Sequence, residues 1–262
     1  MIADEIARKY NKTFEELSAE VERARRSLVP KIEQIEVVEA TKRTTLTITR
    51  EGLGPLETSH GIFNHFSFRI DDAWEKYSVL TKSAVSEDFF PVFKDPDNLV
   101  LRTDSGCETG QLFGDLTCEC RDQLHKCMAK IAEQGEGMII CIPRQDGRGL
   151  GLPFKLATLR LQLHLGVNTV EASYLLDPAG SRDTRTYAGV VGILKFLRIP
   201  TVARIHLNTN NPKKITVLRE NGYTVSQEPL VIPATERTAR HLEAKRTELG
   251  HTNLVSDVKD NQ

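Results

Sequence analysis

This sequence has no surplus of charge of either sign: Lys plus Arg number 35 and Asp plus Glu 36 among its 262 residues. That balance excludes bulk electrostatic attraction to nucleic acid or to an anionic membrane, and leaves any anionic ligand to a local cluster of basic groups. Long hydrophobic runs are missing too. The longest, around Tyr187–Leu197, contains Lys195 and falls far short of the ~20 residues a spanning helix needs. The opening residues MIADEIARKYNK have no apolar stretch of the kind a secretory signal requires, so a cytoplasmic protein is expected. There is no internal repeat and no low-complexity linker. Cysteine is scarce and odd in number, five in all. In a reducing compartment such thiols serve as metal ligands, catalytic groups or core residues rather than disulfides.

What is present is an ordinary globular composition, 39% apolar and 27% charged, in a chain long enough to bury a core. Residues 3–28 read as a charged helix with a thin apolar stripe of Leu17, Val21 and Leu28, suited to a surface or a subunit contact. Ile35–Arg50 reads as a strand that Gly52, Gly54 and Pro55 break, followed by strands at Ile62–Ile70 and Tyr77–Leu80, a turn at Asp95-Pro-Asp-Asn, and a short strand at Leu99–Thr103. From Arg121 the period changes. Leu124, Cys127, Met128, Ile131 and Ala132 stand at helical spacing until Gly135 and Gly137. A strand at Met138–Pro143, a helix at Leu152–Leu165, a strand at Thr169–Ala172, a helix at Thr186–Leu197, a strand at Val202–Leu207 and a helix opened by Pro212 follow. Such alternation predicts an α/β fold, a mixed sheet layered with helices behind a more β-rich N-terminal part. The polar tail 256–262 is expected to be disordered.

The cysteines give the first chemical signal. Cys107, Cys118 and Cys120 are spaced Cys-x10-Cys-x-Cys, with Gly106, Gly110 and Gly114 letting the loop fold back. Three thiolates hold zinc and leave one tetrahedral corner open, as in catalytic sites; a fourth ligand, for which His125 is the candidate, would close the site into a structural one. Unconnected cysteines are the plain alternative. Cys127 and Cys141 fall on apolar faces and read as core.

Three further segments could hold phosphate. Asp146-Gly-Arg-Gly-Leu-Gly151 joins a strand to a helix, its small residues letting backbone N–H groups approach an anion beside Arg148, although no Gly-Lys-Ser/Thr follows. In Thr209-Asn-Asn-Pro-Lys-Lys214, Asn211 can cap, Pro212 suits the first helical position, and Lys213 and Lys214 add charge to the free N–H groups there. Arg182-Asp-Thr-Arg185 runs into a helix, where Asp183 reads as a base, a cap or half of a surface ion pair.

In this order the motifs resemble GTP cyclohydrolase II over about Leu99–Leu254: Cys107…Cys118-Glu-Cys120 with Gln123, Arg144-Gln-Asp-Gly-Arg148 with Gly151, Thr169-Val-Glu-Ala172, Asp183-Thr-Arg185 and Thr209-Asn-Asn-Pro-Lys-Lys214. The resemblance implies a Rossmann-like α/β fold, a homodimer, one zinc per subunit on the three cysteines, and magnesium accompanying the triphosphate. It implies that Arg102, Ser105, Gln123, Asp146, Gly147, Arg148, Thr169, Thr209 and Lys214 hold the nucleotide, that Asp183 is the general base and that Arg185 stands at the proposed nucleophile toward the α-phosphorus. A guanidinium stays protonated, so charge stabilisation is the easier role for Arg185. The implied reaction is attack of metal-activated water at C8 of GTP, loss of formate, and release of pyrophosphate, giving a diaminopyrimidine ribonucleotide. The implied parts are a charged helix at 1–30, a β-rich part at 31–98 and a catalytic part at 99–255.

Several positions depart from the family pattern. Arg102-Thr-Asp-Ser-Gly106 stands where Arg-Val-His-Ser-Glu is usual, Asp146 replaces a glutamate, and Arg121-Asp122 replace Gly-Phe. The loop before Asp183 is about two residues longer. The helix after the glycine-rich loop offers Leu159, or Arg160 in a shifted alignment, where the family carries a catalytic tyrosine. Without that hydroxyl, deformylation is expected to slow or stop. The altered pocket also leaves open another nucleotide such as UTP, or a non-catalytic nucleotide-binding paralogue. The first 95 residues are too short for the second enzyme often fused to this family, which suggests a paralogue serving a specialised pathway.

Overall fold

The computed structural model describes residues 2–143, 145–178 and 183–250. Arg144, Arg182 and the tail expected at 256–262 lie outside the described residues. The chain opens with α1 (Ile2–Lys9) and α2 (Phe14–Ser27), not the single helix expected over 3–28. The break has a local cause. Asn11 takes φ 52°, and Thr13 starts a new helix through a capping box in which the Glu16 N–H donates to Thr13 Oγ1 (3.0 Å) and the Thr13 N–H to Glu16 Oε2 (2.8 Å).

Four antiparallel strands follow: β1 (Lys31–Glu39), β2 (Lys42–Thr58), β3 (Gly61–Ile70) and β4 (Tyr77–Lys82). The expected strand Ile35–Arg50 is in fact a hairpin, turned by Ala40 and Thr41, both at positive φ (51° and 68°). Gly52, Gly54 and Pro55 do not end β2. The register slips between Arg50 and Gly52, a bulge, and pairing with β3 continues to Thr58. Because β1 begins opposite Arg50, the stretch carrying Pro55 has no partner on that side and is a sheet edge, where a proline is tolerated.

A small ribbon, β5 (Ala84–Val85) with β6 (Pro91–Val92), leads to β7 (Asn98–Asp104), the short helix α3 (Glu108–Gln111), α4 (Cys120–Gln134) and β8 (Gly137–Cys141). Then come α5 (Leu152–Leu165), α6 (Thr169–Leu176), α7 (Ala188–Phe196), β9 (Arg204–Asn208), α8 (Pro212–Glu220), β10 (Thr224–Glu228) and α9 (Ala239–Leu249). The strand expected at Thr169–Ala172 is the first turn of α6. Asn168 Oδ1 accepts from the N–H groups of Val170 and Glu171, and Glu171 reaches back to the Asn168 N–H, so the cap overrides the β-branched pair Thr169-Val170.

One eight-stranded sheet joins both halves in the order β1-β2-β3-β4-β8-β7-β9-β10. It is antiparallel from β1 to β8 and parallel from β8 to β10. On one face the larger core packs Ile48, Phe66, Phe68, Leu99, Leu101 and Ile205 against Val190, Ile193, Leu194 and Phe196 of α7 and Leu218 of α8. Here α7 comes close to the strands at Gly189, where a Cβ would lie 2.6 Å from Ile70 Cδ1. On the other face α4 buries Cys127, Met128 and Ile131 against Phe63, Val100 and Ile139. Cys127 is thus core, as expected. No helix among the described residues is long and apolar enough to cross a membrane.

Candidate active site

The chain leaves β7 for β8 on one side and returns to β9 on the other, so a crevice opens beyond the carboxyl ends of the parallel strands. Into it run Ser105–Cys107 after β7, the loop 142–151 after β8, and Thr209–Asn211 after β9. A single cavity there is lined by Arg102, Ser105, Cys107, Cys118, Cys120, Gln123, Asp146, Gly147, Arg148, Thr169, Arg185, Thr209 and Lys214. Residues over a hundred positions apart are brought together. Asp183 does not line the cavity; it stands behind Arg185.

The sulfurs of Cys107, Cys118 and Cys120 all lie within 4.8 Å of one another, with Cys107 and Cys118 3.8 Å apart. Tetrahedral zinc with Zn–S bonds of about 2.3 Å sets its sulfurs roughly 3.8 Å apart, so the spacing fits that ion. Gly110 keeps the cradle open. A Cβ there would sit 2.5 Å from Cys118 Sγ and 3.2 Å from Cys107 Sγ. The contacts with Cys118 and Cys120, and then Lys155, hold the Cys107 thiol far below its ordinary range, so this sulfur is a ready thiolate ligand. His125 does not join the cluster. Its Nδ1 faces His60 Nε2 at 3.1 Å, near the surface, which leaves three candidate ligands among the described residues.

The basic groups are held by specific partners. Arg102 and Asp104 form a buried ion pair in which Nε (3.0 Å) and Nη2 (2.7 Å) both donate to Asp104 Oδ2, and Arg102 Nη2 also reaches Gln123 Oε1 at 3.3 Å. Burial pushes the Asp104 carboxyl up, but Arg102, Gln111 Nε2 (2.6 Å) and the Gly106 N–H (2.9 Å) outweigh it and hold it below the usual carboxylate range. The departure Arg102-Thr-Asp-Ser-Gly106 therefore has an internal logic. Asp104 turns the chain onto Gly106, whose φ of 54° and closeness to the Ile142 carbonyl, 2.6 Å from a built Cβ, admit only glycine. Arg148 is itself left-handed (φ 61°), with its Nη2 3.4 Å from Thr169 Oγ1 and its carbonyl accepting from the Thr184 N–H (3.0 Å). That bond ties the glycine-rich loop to the segment carrying Asp183 and Arg185.

Asp183 and Arg185 form a bidentate pair, both bonds 2.8 Å, and Lys213 Nζ donates to the Asp183 carbonyl at 3.0 Å. Burial raises the Asp183 carboxyl, yet Arg185 holds it below its ordinary value. Lys214 is buried and donates to Thr103 O (2.6 Å) and Ser105 Oγ (3.2 Å). Burial first, then the nearby Arg102 and Arg185, push its ammonium down to about 7. Asn211 caps α8 through the Lys213 N–H (2.9 Å), as expected, and its Nδ2 donates to Tyr187 Oη (3.1 Å).

A family model described as GTP cyclohydrolase II matches residues 50–229. The chain belongs to the GTP cyclohydrolase II family. The match starts inside β2, so the shared region takes in much of the antiparallel sheet and not only the motif-bearing part after Leu99. A protein named GTP cyclohydrolase-2 from Picrophilus torridus is 39% identical over 152 residues, 58% of this chain and 76% of that one. Riboflavin biosynthesis protein RibBA from Cytophaga hutchinsonii is 34% identical over 203 residues, 77% of this chain and 46% of its own. The chloroplastic monofunctional riboflavin biosynthesis protein RIBA 3 of Arabidopsis thaliana is 29% identical over 233 residues, 88% of this chain and 43% of its own. The chain thus spans about half the length of the RibBA relatives.

Of the two residues offered at the position of the family tyrosine, one faces the crevice. Leu159 lines the cavity and Arg160 is exposed. Two groups escaped sequence reasoning. Gln145 Oε1 is a buried acceptor without a partner among the described residues, on the cavity wall. Lys155, one turn into α5, reaches Cys107 Sγ at 2.9 Å. Its position beside the glycine-rich loop was the available signal, since a lysine in the first turn of a helix runs against the helix dipole and needs a reason to be there.

Proposed function

We propose that this chain is a zinc-dependent cyclohydrolase that opens the imidazole ring of GTP at C8 and releases pyrophosphate. Its product is a diaminopyrimidine ribonucleotide that keeps its formyl group. The observation that carries this reading is one crevice holding three sulfurs at zinc-binding distances beside Arg102, Arg148, Arg185 and Lys214. The names of the relatives supply the nucleotide and the riboflavin-type chemistry.

Cys107, Cys118 and Cys120 would hold the ion, which supplies a Lewis acid and makes coordinated water acidic enough to react near neutral pH. The chain's own groups do the rest. Arg148, Arg185 and Lys214 bind and orient the triphosphate. Ser105, Thr169, Thr209 and Gln123 offer neutral hydrogen bonds, and Gly147 lets the backbone approach. Asp183 fixes the plane of the Arg185 guanidinium against the phosphate; to act as a base it must first leave that pair. Arg185 stabilises charge at the α-phosphorus. Magnesium enters with the triphosphate, and the active species is a homodimer with one zinc per subunit. Leu159 presents methyl groups where a hydroxyl would position water for the second hydrolysis, so the formyl group is retained.

The test is incubation with GTP, with zinc quantified and products weighed by mass spectrometry. The expected outcome is one zinc per chain and a formylated product, with Leu159→Tyr gaining formate release. A protein that binds zinc but leaves GTP intact would reduce it to a nucleotide-binding relative, and stoichiometric formate from the unmodified chain would refute the role of Leu159.

A further inference from the structure

Lys155 has no place in the roles assigned above, yet its ammonium touches the sulfur cluster. Its Nζ lies 2.9 Å from Cys107 Sγ and 3.3 Å from Asp146 Oδ1, on a side chain only 15% exposed. Asp146 Oδ2 in turn faces the N–H of Glu108, the residue after Cys107, at 3.4 Å. We infer that Lys155 is a positioning residue of the metal site, its ammonium donating to the Cys107 thiolate and to Asp146 and so locking the metal-holding loop to the loop after β8. This rests on the reading of the three cysteines as metal ligands.

The physical argument is one of charge. Three thiolates on a divalent ion leave one net negative charge, and strong sulfur donation weakens the ion as a Lewis acid. An ammonium hydrogen-bonded to one sulfur cancels that charge and draws electron density back from the metal. The same contact explains a carboxylate shortened to aspartate at position 146. It sits between an ammonium and a backbone N–H and serves as a strut, so its oxygens are already engaged by the protein before a nucleotide arrives.

The experiment uses cobalt(II) as the bound metal, because sulfur-to-cobalt charge transfer reports the electron richness of the thiolates. Wild type, Lys155→Arg, Lys155→Gln and Lys155→Met are loaded with cobalt, and each is also treated with iodoacetamide and mapped for alkylation at Cys107. The Met variant is expected to move the charge-transfer band to longer wavelength and to alkylate at Cys107 about tenfold faster, the loss of one charge-assisted hydrogen bond. Lys155→Arg should stay near wild type and Lys155→Gln should fall between; a Met variant that fails to fold leaves the Gln variant to decide. A wild type that binds cobalt, with an unchanged band and unchanged alkylation in the Gln and Met variants, overturns the inference alone. A wild type that takes up no cobalt overturns the metal reading, and this inference with it.

Discussion

The depressed ammonium of Lys214 makes a quantitative demand on ligand binding. In the free protein its value is about 7, against an ordinary lysine near 10.4. Two of its three donors go to Thr103 O and Ser105 Oγ, and a phosphate is the natural taker of the third. A bound triphosphate restores the ordinary value, so binding takes up a proton wherever the free lysine is neutral. At pH 8.5 a group of pKa about 7 is protonated only ~3% of the time and an ordinary lysine almost always, so uptake approaches about one proton; at pH 6 it falls to roughly 0.1. Affinity should therefore drop about tenfold per pH unit above about 7.5, where the triphosphate itself no longer titrates. Calorimetric titration of a non-hydrolysable GTP analogue in buffers of different ionisation enthalpy measures the proton count directly. Lys214→Met should bind more weakly at pH 7 and lose the slope. A flat affinity between pH 7.5 and 9 in the wild type would refute the argument. The same shift acts on stability. Because the folded value lies below the unfolded one, the unfolded chain holds more protons between about 7 and 10.4, and the nucleotide-free protein should grow more stable as pH rises through that window.

Cys118→Ser should abolish zinc retention and GTP consumption together; intact turnover would refute the role of the sulfur cluster. Gly110→Ala sets two effects against each other: helix propensity favours alanine by roughly 0.5–1 kcal/mol, while its methyl would stand 2.5 Å from Cys118 Sγ. The steric term should win in the metal site, so a chelator competition is expected to show at least about a tenfold loss of zinc affinity in a chain that melts no lower than wild type. Glu39 caps the start of α7, accepting from the Tyr187 N–H (2.7 Å) and the Ala188 N–H (3.2 Å), two and three residues after Arg185. Glu39→Gln should cost about 1 kcal/mol in denaturant melts and raise KM for the nucleotide, and an unchanged KM would dissociate that cap from the site.

Where a signal lives in local spacing, the sequence could be read. The Cys-x10-Cys-x-Cys bite, the Asn211-Pro212 helix start and the 3.6-residue period of Leu124–Ala132 each reappear in the fold. The misreadings came from caps and bends that compete with periodicity. Asn168 and Glu171 make a helix of a segment rich in β-branched residues, and Thr13 with Glu16 splits a charged run in two. Beyond reach altogether were contacts joining distant segments. Lys155 meets Cys107 across 48 positions and Glu39 meets Tyr187 across 148, and no local pattern carries such pairings. The departures Asp104 and Gly106, puzzling as isolated substitutions, became a linked pair only when one was found to turn the chain onto the other.

The central strand β7 has a further consequence, for synthesis rather than chemistry. Its segment Asn98–Asp104 gains one neighbour when residues 137–141 emerge from the ribosome, but its other flank waits for Arg204–Asn208. Throughout that interval an apolar ribbon, Leu99-Val100-Leu101, shows open backbone donors and acceptors to any passing chain. Slow or stalled translation between those points should favour aggregation, and chaperone dependence should be greatest for nascent chains ending there.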